Sequence, residues 1–175
     1  MVQFEGKKDA QKITAEGKPV HKLIDGVVMR QTITHMDNRG TLCEVYDPRW
    51  AISDLPVVYI YQFTIMPGIV KGWAKHLKKD DRIFVTKGRV RIGLYDDRPE
   101  SPTYKMTNDL YLSDLHRSLI IIPKGVYHAL QCVGSEEAMC ISMPTVAYAY
   151  EDPDVYRLPP DTDLIPLDFR PILGG

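Results

Sequence analysis

The stretch Gly68-Ile-Val-Lys-Gly-Trp-Ala-Lys-His76-Leu-Lys-Lys-Asp-Asp81-Arg-Ile-Phe-Val-Thr-Lys-Gly88 decides how this chain is read. It opens on a Pro67-Gly68 turn, closes on Lys87-Gly88, and carries β-rich runs between. Residues i and i+2 of a strand point to one face, so positions 74 and 76 look the same way. Further on, Pro123-Lys-Gly125 precedes Val-Tyr-His128, a turn that lets a later strand present His128 to the same interior. Short β-rich runs recur on both sides: 57–65, 82–85, 89–95, 118–123 and 138–143, separated by Gly, Pro, Asn and Asp turns. Many short strands at this pitch predict an all-β antiparallel sandwich or barrel. Lys87-Gly88 reads as a hairpin corner. Only Pro48–Asp54, closed by prolines on both sides, allows a short helix.

Residues 1–20 are polar and lysine-rich and read as a flexible arm. Residues 21–175 read as one domain with a proline-rich tail. At 175 residues one domain is the expectation. The chain carries 22 Lys+Arg against 23 Asp+Glu, a formal charge of −1. That balance argues against neutralising a run of nucleic-acid phosphates, while leaving room for a locally basic pocket. Cys43, Cys132 and Cys140 are odd in number and lack CxxC spacing, so free thiols in a reducing compartment are expected. No apolar run approaches 18 residues, and the amino terminus has no apolar leader segment; a cytoplasmic protein with no membrane partner is the expectation.

The decisive stretch resembles the first cupin motif, G-x5-H-x-H followed by E-x6-G, with Ala74 in place of the first histidine and Asp81 in place of the glutamate. Pro123–His128 resembles the second motif's PxGxxH, with Cys132 where an asparagine belongs. The resemblance implies a jelly-roll β-barrel. In metal-binding cupins these side chains hold an ion; here His76, Asp81 and His128 remain, enough for a facial triad. Ala74 removes one nitrogen ligand, and the expectation is an enzyme without metal or other cofactor, a metal-dependent cupin being one alternative. The run Lys78–Arg82 reads as a solvated edge, with Asp81 turned inward if strand pairing persists.

Further motifs narrow the resemblance. Asp37-Asn-Arg39-Gly40-Thr-Leu-Cys-Glu44, Pro67–Ala74, Tyr95–Thr103, the IPKGVYH segment and Pro144–Tyr148 resemble, in order, segments of the dTDP-4-dehydrorhamnose 3,5-epimerases. The RmlC-like cupin fold and a nucleotide-sugar substrate follow from that resemblance. In that family a histidine removes a proton beside a C4 ketone and a tyrosine returns one from the other face. The ketone acidifies the C–H, the enolate oxygen needs donors, and a neutral histidine suits the base.

The family's base position is Ala74 here, and alanine accepts no proton. The resemblance to the dTDP-sugar 3,4-ketoisomerases, whose G-x-H-A-H uses both histidines, transfers the base to His76. His128 is then expected to donate to the C4 oxygen, and Tyr148 to act as the acid or to pack. Arg39 and Lys71 match phosphate-contact positions, and Glu44 a position close to the nucleotide. Arg98 is expected to pair with a carboxylate or shape a turn, and Trp73 to pack. Asp161, Asp163 and Asp168 are candidates to orient a histidine. The tail and the β-rich amino-terminal part suggest arms exchanged in a homodimer. A non-catalytic sugar-nucleotide binder is the second alternative.

Overall fold

A computed structural model describes residues 8–16, 19–20 and 22–169 of the chain. Twelve strands run in chain order: β1 Val28–Gln31, β2 Thr34–Asp37, β3 Gly40–Cys43, β4 Tyr61–Ile65, β5 Val70–Lys75, β6 Asp81–Lys87, β7 Arg89–Asp96, β8 Thr107–Ser113, β9 Ser118–Ile122, β10 Val126–Cys132, β11 Ala138–Ser142 and β12 Tyr156–Arg157. Two five-stranded antiparallel sheets, ordered β1-β9-β6-β11-β4 and β12-β5-β10-β7-β8, face each other; β2 and β3 form a separate hairpin. This is a jelly-roll barrel. The expected short helix is one 3₁₀ turn, Pro48–Trp50, capped by the Asp47 side chain accepting from Arg49 N at 2.8 Å.

The core follows from strand alternation. Ile83 and Val85 of β6, Val90, Ile92 and Leu94 of β7, Ile120 and Ile122 of β9, and Leu130 of β10 turn inward and are buried together. Lys87-Gly88 is not the hairpin corner the sequence suggested. β6 and β7 belong to different sheets, so Gly88 carries the chain across from one to the other. Its φ of +82° is a conformation L side chains rarely adopt, and a Cβ there would lie 3.0 Å from Ala138 Cα.

The outer faces are covered by irregular chain, which corrects the expectation of a solvated Lys78–Arg82 edge. Arg82 points away from the barrel interior and is fully buried, donating to Pro56 O at 3.1 Å, Leu55 O at 2.5 Å and Ser53 Oγ at 2.8 Å. Phe84 beside it packs under Tyr46, Trp50 and Val57. On the other sheet the proline-rich tail returns over its own barrel. Leu158 exchanges backbone hydrogen bonds with Trp73, and Gln131 Nε2 donates to Phe169 O at 3.0 Å. Trp73 is fully buried against Phe169, the packing role expected of it. Gly93 leaves room for that cover, since a Cβ there would meet Leu167 and Phe169 at 2.6 Å.

The β2–β3 hairpin stands off this body, and its Met36 and Leu42 are 81% and 63% exposed. Of the expected amino-terminal arm, residues 1–7, 17 and 18 lie outside the described residues, as do tail residues 170–175.

Candidate active site

A cavity of about 250 Å³ opens into the barrel beside the ends of β5, β6 and β10. Ala74 lies on its wall, paired in register with His128 of β10 on one side and Arg157 of β12 on the other. β5 ends at Lys75, yet alternation persists one residue further and His76 also faces the cavity. The tail fixes that residue. The Asp154 carboxylate accepts from the backbone N–H groups of Leu77 at 3.0 Å and Lys78 at 2.8 Å, while the Asp154 carbonyl accepts from His76 Nδ1. A carbonyl can only accept, so this contact places a ring proton on Nδ1; in the neutral ring Nε2 then holds the lone pair, and in the imidazolium Nε2–H donates to Asp81.

Asp81 is where the groups converge. Its Oδ2 lies 3.2 Å from His76 Nε2 and 3.4 Å from His128 Nε2, and the imidazole centroids are 5.4 Å apart. Lys79 is buried too, with Nζ 3.7 Å from Asp81 Oδ1. Burial works to raise the Asp81 carboxyl, but the His76 hydrogen bond and the charges of His128, His76 and Lys79 hold it down at about 2. Burial pushes His128 the other way for a base, down to about 4 against the pull of Asp81, so that ring is neutral at pH 7. His76, Asp81 and His128 hold their ligand-capable atoms within 4.8 Å of one another.

Around this centre the wall changes character. Tyr61, Phe63 and Ile83 supply apolar surface, whereas Lys71, Arg157 and Tyr148 are exposed polar groups on the rim. His76, His128, Lys71 and Tyr148 are therefore brought together as the sequence suggested. Arg39 and Glu44 are not. Arg39 sits on the β2–β3 hairpin, 85% exposed and paired with Asp37, beside a separate surface depression; Glu44 is exposed just beyond the hairpin. Asp161, Asp163 and Asp168 line another depression in the tail, and the histidine is oriented by Asp154 instead.

Sequence reasoning passed over Lys79 and Arg157. Lys79 hid in a charged run, and Arg157 becomes a rim residue only through pairing of the tail with β5. Arg98 is structural, as expected, clasping Asp96. A larger groove of about 900 Å³, lined by Val45, Tyr46, Leu55, Val57 and Ile60, carries no histidine, lysine or arginine. His76, His128, Asp81, Lys71, Lys79 and Arg157 gather in the smaller cavity.

The jelly-roll with a histidine–carboxylate interior defines a cupin. A family model described as dTDP-4-dehydrorhamnose 3,5-epimerase matches residues 21–165. The chain belongs to that family of sugar epimerases and isomerases. It is 34% identical over 153 residues, 87% of its length and 98% of the other's, to the probable low-salt glycan biosynthesis epimerase Agl13 of Haloferax volcanii. It is 31% identical to the spore coat polysaccharide biosynthesis protein SpsL of Bacillus subtilis, over 82% of this chain and 94% of that one. Among solved structures, a dTDP sugar isomerase from Desulfovibrio desulfuricans superposes with a TM-score of 0.76 at 22% identity, covering 83% of this chain and 92% of that one. The 3'-monoepimerase ChmJ of Streptomyces bikiniensis also gives 0.76, at 17% identity, with 89% and 83% covered. These two likenesses carry the fold. Among the described residues no helix is long and apolar enough to cross a membrane.

Proposed function

We propose that this chain epimerises or isomerises a dTDP-linked 4-keto-6-deoxyhexose by removing a proton beside the ketone, with His76 as the base. The observation that carries the reading is the contact between His76 Nδ1 and the Asp154 carbonyl. Asp154 holds the Nδ1 proton, so in the neutral ring the lone pair falls on Nε2, which lines the cavity. A proton arriving there stands 3.2 Å from the Asp81 carboxylate, which stabilises the imidazolium without taking the proton. The C4 oxygen gains charge as the enolate forms. Lys79, a buried cation, and the N–H of neutral His128 are the donors for it. Tyr148 returns a proton from the opposite face.

Lys71 and Arg157 on the rim take the diphosphate, Arg157 offering the fork that Lys71 lacks. Arg39 and Glu44 do not line the cavity of their own chain. In this reading they serve that of a second copy, as a homodimer whose contact covers exposed Met36 and Leu42. Nucleotide sugars and the free thiols of Cys43, Cys132 and Cys140 both suit the cytoplasm.

Incubation with a dTDP-4-keto-6-deoxyhexose in heavy water tests the reading. Deuterium at C3 and C5, or at C3 alone, marks an epimerase, or a monoepimerase or ketoisomerase. Binding with no label at either carbon refutes catalysis and leaves a sugar-nucleotide binder, the outcome that alanine at position 74 would favour.

A further inference from the structure

Around Asp81 two of the three donor separations also match those of a metal ion, and all three donor atoms lie within 4.8 Å of one another. Two bonds of about 2.0–2.1 Å opened at a tetrahedral angle separate their donor atoms by roughly 3.3 Å. His76 Nε2 and His128 Nε2 stand 3.2 and 3.4 Å from Asp81 Oδ2. Two imidazoles and one carboxylate are a donor set for a borderline divalent ion of the first transition row. The outer contacts agree. His76 Nδ1, the ring nitrogen away from Asp81, donates to the Asp154 carbonyl, the contact that fixes a ligating histidine in its metal-binding tautomer. Asp81 Oδ1 is a buried polar atom without a hydrogen-bond partner among the described residues, so this cluster is not closed on itself. The cavity gives an entry path and space for water on the open side.

We propose that His76, Asp81 and His128 bind one divalent transition ion, Zn²⁺ foremost, and that the bound ion silences proton abstraction by occupying the His76 Nε2 lone pair. The site goes beyond the catalytic reading, and only the silencing rests on it. Two features keep the ion exchangeable. Ala74, directly across the β5–β10 ladder from His128, supplies no fourth donor. Lys79, 3.7 Å from Asp81 Oδ1, places a competing positive charge on the same carboxylate. The ion is therefore an inhibitor that comes and goes, distinct from a resident cofactor.

Titration of chelator-treated full-length protein with Co²⁺ tests the site directly. The expected result is a visible d–d band saturating at one equivalent, without the near-ultraviolet thiolate band that cysteine ligation would give, and removed by Zn²⁺. Asp81→Asn and His128→Asn weaken binding by ~100-fold or more, since even outer contacts of a ligand cost about 10–100-fold. His116→Asn, on the surface, changes nothing, and Ala74→His tightens binding. Should the ligand variants fail to fold, imidazole ¹⁵N spectra of the unaltered protein decide: Zn²⁺ must shift Nε2 of two histidines while His76 keeps its proton on Nδ1.

The deuterium-exchange assay, run in parallel, must fall with Zn²⁺ occupancy and recover with chelator. No Co²⁺ band at large excess, or a band that survives in folded Asp81→Asn, overturns the site and leaves the base assignment standing. Full occupancy with undiminished exchange overturns the silencing and the His76 base together, while the metal site remains.

Discussion

Asp81 and Asp96 are both buried carboxylates in the barrel wall, and both are held near 2. Asp96 is closed. It accepts from Arg98 Nε at 2.7 Å and Nη2 at 2.9 Å, from Ser101 Oγ at 2.6 Å and from Thr103 Oγ1 at 2.6 Å. Burial would raise it, and these partners more than offset that. Asp81 is open: one oxygen faces two imidazoles, the other has only Lys79 at 3.7 Å, and a cavity lies alongside. A carboxylate whose acceptor sites are all used is part of the scaffold. One that shares its charge among three groups able to trade protons or ligands is available for chemistry. A low pKa alone does not tell the two apart; hydrogen-bond closure does.

The largest expected effect falls on the open centre. His76→Asn should slow solvent exchange into the substrate by about 10²–10⁴-fold while nucleotide affinity stays close to that of the parent, because general-base catalysis is lost and the rim is untouched. Exchange as fast as in the parent protein would remove His76 from the mechanism. Asp96→Ala should act on the scaffold instead, costing about 3 kcal/mol by leaving Arg98 without its partner. In a chain of this size that is a fall in Tm of roughly 6–12 °C. A variant that melts like the parent but no longer exchanges deuterium would invert the distinction between the two aspartates.

Smaller effects sharpen the comparison at the rim and in acid. Arg157→Ala and Arg39→Ala should each weaken dTDP binding by about 1.5–3 kcal/mol if each makes a charged hydrogen bond. Calorimetry finding Arg39→Ala unchanged would separate the hairpin from every site, and with it the shared-site homodimer. Finally, Asp96 is held at about 2 in the folded chain, against an ordinary aspartate value of 3.8. Its contribution to stability is complete above 3.8 and is lost as pH falls from 3.8 towards 2, about 2 kcal/mol in all at ~1.4 kcal/mol per pH unit. Denaturant melts of Asp96→Asn should lose that part of the acid slope; an unchanged slope would show that other groups carry it.

Much of the barrel could be read from residue order. The β-rich runs 82–85, 89–95, 118–123 and 138–143, broken by turn residues, marked strands, and the PxG turn ahead of His128 marked a second entry into the same interior. The reading failed where a charged residue is buried outside the core. Lys79 and Arg82 look like solvent residues in a run of five charges, and it is the 53–56 segment and the Asp81 carboxylate that give them partners. The Lys87-Gly88 corner failed for a related reason: a turn residue shows that the chain bends, and says nothing about whether the next strand pairs with the last or with the opposite sheet.

Family, fold class and the loss of a histidine at position 74 are properties of the sequence, because they depend on which side chain occupies which place in a local pattern. That His76 carries its proton on Nδ1 is decided only in three dimensions. It needs Asp154, seventy-eight residues away, to be brought back by the tail so that its carbonyl meets the ring. Arg157 reaches the rim by the same return, through two residues of pairing with β5. Long-range backbone contacts of this kind leave no periodic trace in the chain, since any residue can offer a carbonyl. Which imidazole nitrogen is free for a proton or a metal is therefore settled by the fold.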